Sequence, residues 1–213
     1  KEHNLTIFHL MGQHVNYKLR YRTKQARFWA SSYEDKRPEL TNAQRKMLSH
    51  YDNATLYNDS IVAQIVKRFQ KQDAIVIYVP DHGEECYEEN RGFICRNHSA
   101  EIDWPLAHYE FEIPFWIYCS PKYIRNHRDI YRQIRKAKDK RFMTDALPHL
   151  LLYLAGIETP TYKEEYNILS PKYDEMRPRI LKNSADYDKL RDAHLEKIKK
   201  EESKKVKKKE RRN

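Results

Sequence analysis

Blocks of apolar residues recur along this chain at spacings that name their own elements. "LTIFHL" (5–10) is a short apolar run between polar neighbours and predicts a buried strand. In "NATLYNDSIVAQIVKRFQKQ", Leu56, Ile61, Ile65, Val66 and Phe69 fall near a 3.6-residue repeat, which predicts an amphipathic helix. "DAIVIYV" follows as a strand buried on both faces, and "FEIPFWIYCS" (111–120) as another. "MTDALPHLLLYLAGI" carries Thr144 as a candidate N-cap, an apolar body and Gly156 as a stop. Residues 17–46 are basic and aromatic without a period, an irregular excursion with a helical piece near "TNAQRKMLSHYDN". Strands alternating with helices predict the α/β class, a mostly parallel sheet flanked by helices.

Beyond Gly156 the pattern weakens, and the chain divides into a body (1–182) and a basic helical tail (183–213). Charge sharpens that division. The formal net charge is +10, and residues 189–213 hold 12 Lys and Arg against 5 Asp and Glu, so the body is only mildly basic. A phosphate-tracking surface for nucleic acid is therefore not expected. The tail reads either as a solvated helix or as a partner for anionic lipid. No run approaches the ~18 apolar residues of a membrane span. The opening residues already read as a strand, so Lys1 reads as a cut within a longer polypeptide.

The chemistry concentrates where strands end. His9 and His14 sit at and beyond the first predicted strand, and Asp81 and His82 just beyond the second. Ligands of open α/β sheets gather at the carboxyl ends of strands, which brings both loops to one edge. Three of the four glycines (Gly12, Gly83 and Gly92) lie in or beside these loops, where Gly83 would permit a sharp turn. An Asp followed by a His offers one oxygen and one imidazole nitrogen, a set that suits zinc better than calcium or magnesium. His14 and His98 can add ligands or donors to a phosphate. Alone, Asp-His-Gly favours a satisfied loop histidine; the two strand-end histidine loops together leave that reading and a metal site equally open. Cys86 and Cys95 bracket the second loop, and spacing leaves open whether they bridge in an oxidising compartment or stay free. Tyr17, Tyr21 and Tyr33 lie near the first histidine loop, as packing residues or as the lining of a lipid head-group cleft. His3, His50, His108, His127, His149 and His194 fit no common site.

"HLMGQHVNYKLRYR", "SHYDNATLYNDSIVAQIV", "YVPDHGEE", "EFEIPFWIYCS" and "MTDALPHLLLYLAGI" occur in this order over residues 5–160. The series resembles the lipid A phosphoethanolamine transferases of the alkaline phosphatase/sulfatase superfamily. The resemblance implies a sulfatase-like catalytic domain of which this chain is the C-terminal portion. It implies Asp81 and His82 as Zn2+ ligands and His14 and His98 against the phosphate or a second metal; Glu84 and Glu85, beside that pair, read either as plain solvated acids or as carboxylates that orient a zinc-bound imidazole. It further implies transfer of phosphoethanolamine from phosphatidylethanolamine to lipid A or another envelope glycan through a phospho-threonine. That threonine would lie upstream of Lys1, as would helices holding the enzyme at the periplasmic face of a bacterial inner membrane. The chain departs from the family pattern at Gly12-Gln13-His14-Val15-Asn16, at Glu85 and at "CRNHS", which bears on the acceptor and on His98 rather than on the Asp81–His82 pair.

A sulfatase, a phosphodiesterase or a phosphoglycerol transferase of the superfamily would share Asp81-His82-Gly83. A non-catalytic binding module, with structural histidines and a tail for an acidic partner, is the alternative of a different class.

Overall fold

The computed structural model describes residues 4–97 and 101–210, with side chains as far as residue 205. Its longest element, α1 (Asn42–Phe69), begins at a capping box. The Thr41 hydroxyl accepts the Gln44 N–H at 3.2 Å, and the Gln44 side chain accepts the Thr41 N–H at 2.8 Å. No Gly or Pro interrupts the following residues, so the helical piece near 41–53 and the amphipathic run after it form one helix.

β1 (Ile75–Tyr78) follows, then a hairpin of β2 (Glu85–Cys86) and β3 (Ile94–Cys95), α2 (Trp104–Phe111) and β4 (Trp116–Cys119). β4 lies antiparallel to β1, with Ile75 opposite Cys119 and Tyr78 opposite Trp116, whose rings stack at 5.2 Å. The expected parallel sheet is absent among the described residues, which form three two-stranded antiparallel sheets. The connection explains the direction. The chain leaves β1 at Tyr78, passes through the hairpin and α2, and re-enters at Trp116 beside its point of exit. A parallel neighbour would need a crossover to the far end.

Residues 5–10 form no strand. Leu5, Ile7 and Phe8 are 76%, 79% and 50% exposed, because no described strand lies alongside to receive them. Phe8 meets Phe69 edge-on, with ring centroids 6.2 Å apart.

The remaining helices are α3 (Pro121–Asn126), α4 (Arg128–Ala137) and α5 (Leu147–Ala155). Ser120 starts α3 by accepting the Tyr123 N–H, and its hydroxyl donates to Gln72 O at 2.6 Å, tying β4 to the turn before β1. Thr144 opens a one-turn 3-10 segment ahead of α5 rather than capping it. Gly156 closes α5 at φ +67°, with Ile157 N–H on Leu152 O. Leu150 is fully buried with Ile168, Leu169 and Ala137, and the β4 side chain Ile117 packs on this cluster.

A final hairpin, β5 (Ile180–Leu181) and β6 (Ala185–Asp186), leads into α6 (Tyr187–Glu210). The 182/183 position lies in its turn. The first two turns of α6 are fastened to the body: Trp104 of α2 stacks on His194 at 5.2 Å and packs on the buried Tyr187. Asp188 is paired with Arg141, with Arg179 at 2.6 Å and with Arg191 at 3.2 Å. No helix among the described residues is long and apolar enough to cross a membrane.

The hydrogen bonds of Arg179, then the charges of Arg141 and Arg191, hold the Asp188 carboxyl below its ordinary value of 3.8. A carboxyl depressed on folding contributes stability above its unfolded pKa and loses it as pH falls through the folded one. Asp188→Asn is expected to lower the melting temperature at pH 7. It is also expected to flatten the acid-side loss of stability below about pH 4. Thermal melts from pH 7 down to pH 3 check both.

Candidate functional site

β1 delivers the chain into Asp81-His82-Gly83 at the edge where β4 enters. Gly83 N–H donates to Glu110 O at 2.8 Å, so the end of α2 holds this loop. The glycine is required by contact rather than by a left-handed turn. A Cβ on Gly83 would lie 2.3 Å from Tyr109 O, whereas the positive φ angles among the glycines belong to Gly12, Gly92 and Gly156.

His82 Nδ1 lies 2.7 Å from its neighbour's carbonyl, Gly83 O. A ring N–H there donates to the carbonyl and leaves Nε2 with a free lone pair. That Nε2 is 3.6 Å from Asp81 Oδ2, whose side chain is 86% exposed. The pair therefore offers one imidazole nitrogen and one carboxylate oxygen in the same direction, with Arg96 at 4.0 Å from the carboxylate. His14 repeats the arrangement: its Nδ1 is 2.7 Å from Val15 O, again freeing Nε2. Arg20 clamps the backbone around it, donating to His14 O at 2.7 Å and Val15 O at 3.1 Å.

Glu84 joins the two loops. The buried Tyr17 hydroxyl, three residues beyond His14, donates to Glu84 Oε2 at 2.6 Å. Burial raises the Glu84 pKa, while the Tyr17 hydrogen bond and the charges of His82, His14 and Arg96 pull against that rise. Burial and Glu84 push the Tyr17 phenol far above its ordinary range, so it stays a hydrogen-bond donor. Tyr17 in turn packs edge-on against Tyr51 of α1, with centroids 5.3 Å apart.

Glu85 serves the hairpin instead. Its fully buried carboxylate takes the Arg91 guanidinium at 2.7 and 3.1 Å, and Arg91 also bonds Asp103, the N-cap of α2. The expectation that Glu85 orients a histidine therefore gives way to a fold role. Strand alternation accounts for the difference, since neighbouring side chains point to opposite faces. Across the hairpin Glu85 is paired with Cys95 and Cys86 with Ile94, and Cys86 and Cys95 are free thiols. Cys86 packs with Tyr33, Leu40 and Leu48, and burial pushes its thiol up.

His98 lies outside the described residues. The residue before it is held, because Asn97 N–H donates to Glu110 Oε1 at 2.6 Å. Glu110 and Tyr17 are the contributors that sequence reasoning missed as determinants of the site. An acid inside the apolar stretch "PLAHYEFEIPF" was the available signal for Glu110. Among the described residues no three His, Cys, Asp or Glu side chains form a metal-sized cluster. Asp81 and His82 fit zinc as two ligands of a set that needs further donors.

The sulfatase family profile matches residues 1–157, and the chain belongs to that family. It is 32% identical over 174 residues to the phosphoethanolamine transferase EptC of Escherichia coli O18:K1:H7 (strain RS218 / NMEC), covering 80% of this chain and 29% of the relative. It is 30% identical over 141 residues to the Kdo(2)-lipid A phosphoethanolamine 7''-transferase of Escherichia coli (strain K12), covering 65% and 23%. The solved C-terminal periplasmic domain of EcEptC from Escherichia coli superimposes with a TM-score of 0.68 at 28% identity, over 85% of this chain and 51% of that domain. Its complex with zinc gives 0.67, over 84% and 50%. The fold is thus alkaline phosphatase/sulfatase-like, and the chain spans about half of those solved domains and less than a third of the curated relatives.

Gly83→Ala is expected to destabilise the protein by about 3 kcal/mol, roughly 6–12 °C in melting temperature, because backbone must move. Gly92→Ala, with nothing within 4 Å but a φ of +69°, is expected to cost only about 1–2 kcal/mol. Paired thermal melts separate the two mechanisms.

Proposed function

We propose that this chain is the C-terminal portion of a zinc-dependent phosphoethanolamine transferase. The reading takes phosphatidylethanolamine as donor and lipid A or another envelope glycan as acceptor. The observation that carries it is the shared posture of His14 and His82, each with Nδ1 on the next carbonyl, and the exposed Asp81 carboxylate 3.6 Å from His82 Nε2. The named activities of the relatives supply the reaction class.

In this reading Asp81 and His82 hold the metal. When bound, zinc supplies Lewis acidity toward a phosphoryl oxygen and lowers the pKa of a hydroxyl nucleophile. A threonine in the portion of the domain that this chain does not span would attack the head-group phosphorus and release diacylglycerol, and an acceptor oxygen would then take the phosphoethanolamine and free the threonine. Once protonated at Nε2, His14 donates to a non-bridging phosphoryl oxygen or protonates the departing one. His98 is proposed for the same phosphate. Arg96 adds positive charge beside Asp81, and Glu84, held by Tyr17, balances the histidines. Anchoring segments outside this chain would place the domain at the periplasmic face of the inner membrane. The division into a catalytic body over 1–182 and a tail over 183–213 belongs to the same proposal.

The test is zinc content by elemental analysis of the complete domain, wild type against Asp81→Ala/His82→Ala. Zinc is expected in the first and lost from the second. Full zinc occupancy in the double variant overturns the ligand assignment. His14→Ala is expected to keep zinc and lower kcat for phosphoethanolamine transfer by about 100-fold, as loss of a charge-stabilising donor does.

A further inference from the structure

α6 leaves the body after two turns. Tyr187 and Leu190 pack with Ala107 of α2, and His194 stacks on Trp104. From Leu195 to Lys205, by contrast, every side chain is exposed. Between His194 and Glu210 the helix runs about 24 Å as an arm. Residues 197–212 hold ten Lys and Arg against three Glu.

The arm does not neutralise its own charge. Lys200 pairs with Glu196 at 3.6 Å, one turn back. Among the described residues, Lys197, Lys199, Lys204 and Lys205 have no carboxylate within ion-pair distance. Like charges one turn apart, as at Lys200 and Lys204, work against a helix. The helix dipole favours cations in the last turn only, so it accounts for Lys207, Lys208 and Lys209 and not for the lysines at 197–200. An anionic surface laid along the arm supplies the missing counter-charge.

Two apolar side chains say what kind of surface. Leu195 and Ile198 are 45% and 38% exposed and adjacent on one face of the arm. At about 100° per residue, Lys199 and Lys205 flank that pair on either side, and Glu202 ends the apolar face one turn on. Such a face suits the head-group layer of a bilayer, where apolar tips enter and lysine stems lie along them with their ammonium groups at phosphate level. A nucleic acid would leave the two apolar side chains in water, and the mildly basic body offers it no continuing track.

We propose that the arm of α6 binds an anionic phospholipid surface, with Leu195 and Ile198 in the head-group layer and Lys199 and Lys205 on its phosphates. The remaining lysines add attraction at a distance. The arm lies outside residues 1–157, which the family profile matches, and adds a contact to that shared domain. Its root is α2, whose Glu110 holds the Asp81–Gly83 loop, so a bound arm fixes how that loop faces the bilayer. The use of that orientation in catalysis rests on the transferase reading above, while the binding itself does not.

Co-sedimentation of the complete domain with vesicles of equal parts phosphatidylcholine and phosphatidylglycerol tests it, against vesicles of phosphatidylcholine alone. Binding is expected to the anionic vesicles only, and to weaken at least tenfold between about 0.1 and 0.5 M salt as the charges are screened. Lys197→Gln/Lys199→Gln/Lys204→Gln/Lys205→Gln is expected to weaken it at least tenfold, and Leu195→Ser/Ile198→Ser at least threefold, with circular dichroism unchanged. Asp81→Ala/His82→Ala is expected to leave it intact, so that failure of the metal site and failure of the arm read out separately. Absence of binding to the anionic vesicles, equal binding to the neutral ones, or undiminished binding by either tail variant overturns the proposal. A DNA duplex that binds the domain more tightly than the anionic vesicles at the same salt assigns the arm to nucleic acid and overturns it as well.

Discussion

One buried carboxyl-bearing residue sets the relation between the two loops that frame the second half of the site. Glu110 is 5% exposed; its carbonyl takes the Gly83 N–H and its side chain takes the Asn97 N–H. Burying a carboxylate is costly, and a close N–H partner offsets part of that cost. Because both bonds end on a single residue of α2, the Asp81–Gly83 loop and the strand exit before His98 move together or not at all. α2 is itself held at its N-terminal end, by the Asp103 cap and by the stack of Trp104 on His194 of α6. The tail helix is thus part of the scaffold at its root, whatever its basic end does.

Much of this was legible in local patterns. The 3.6 repeat found α1, the apolar run found β1 and β4, and Gly156 marked the end of α5, because each signal depends on neighbours within a few positions. The direction of β4 was not legible. It depends on where α2 returns the chain, a tertiary fact with no local signature. The apolar run at 5–10 reads as a strand by composition, yet a strand exists only beside another one, and none is present among the described residues. The histidine loops were found by their place after apolar runs and by the family resemblance. Their coupling was hidden, since Tyr17 and Glu84 lie 67 positions apart.

Two adjacent acids show how little a sequence position says alone. Glu84 faces Tyr17 and the histidines, and its charge is balanced between burial and those neighbours. Glu85, one residue on, is enclosed with Arg91 and never reaches the histidines. Strand alternation decides which is which, and the hairpin that imposes it is only two residues long on each side. His50 teaches the same lesson: it matched no motif, yet it lies in a shaped cleft beside two lysines.

α1 also touches the histidine loop directly. Asn58 donates to Gln13, next to His14, at 3.3 Å, while His50 on the same helix lines the cleft. Eight residues of helix span about 12 Å along the axis. The rod is therefore a ruler: an inserted or deleted residue between His50 and Asn58 would turn one by about 100° against the other, so the register of a single helix couples His50 to the contact beside His14.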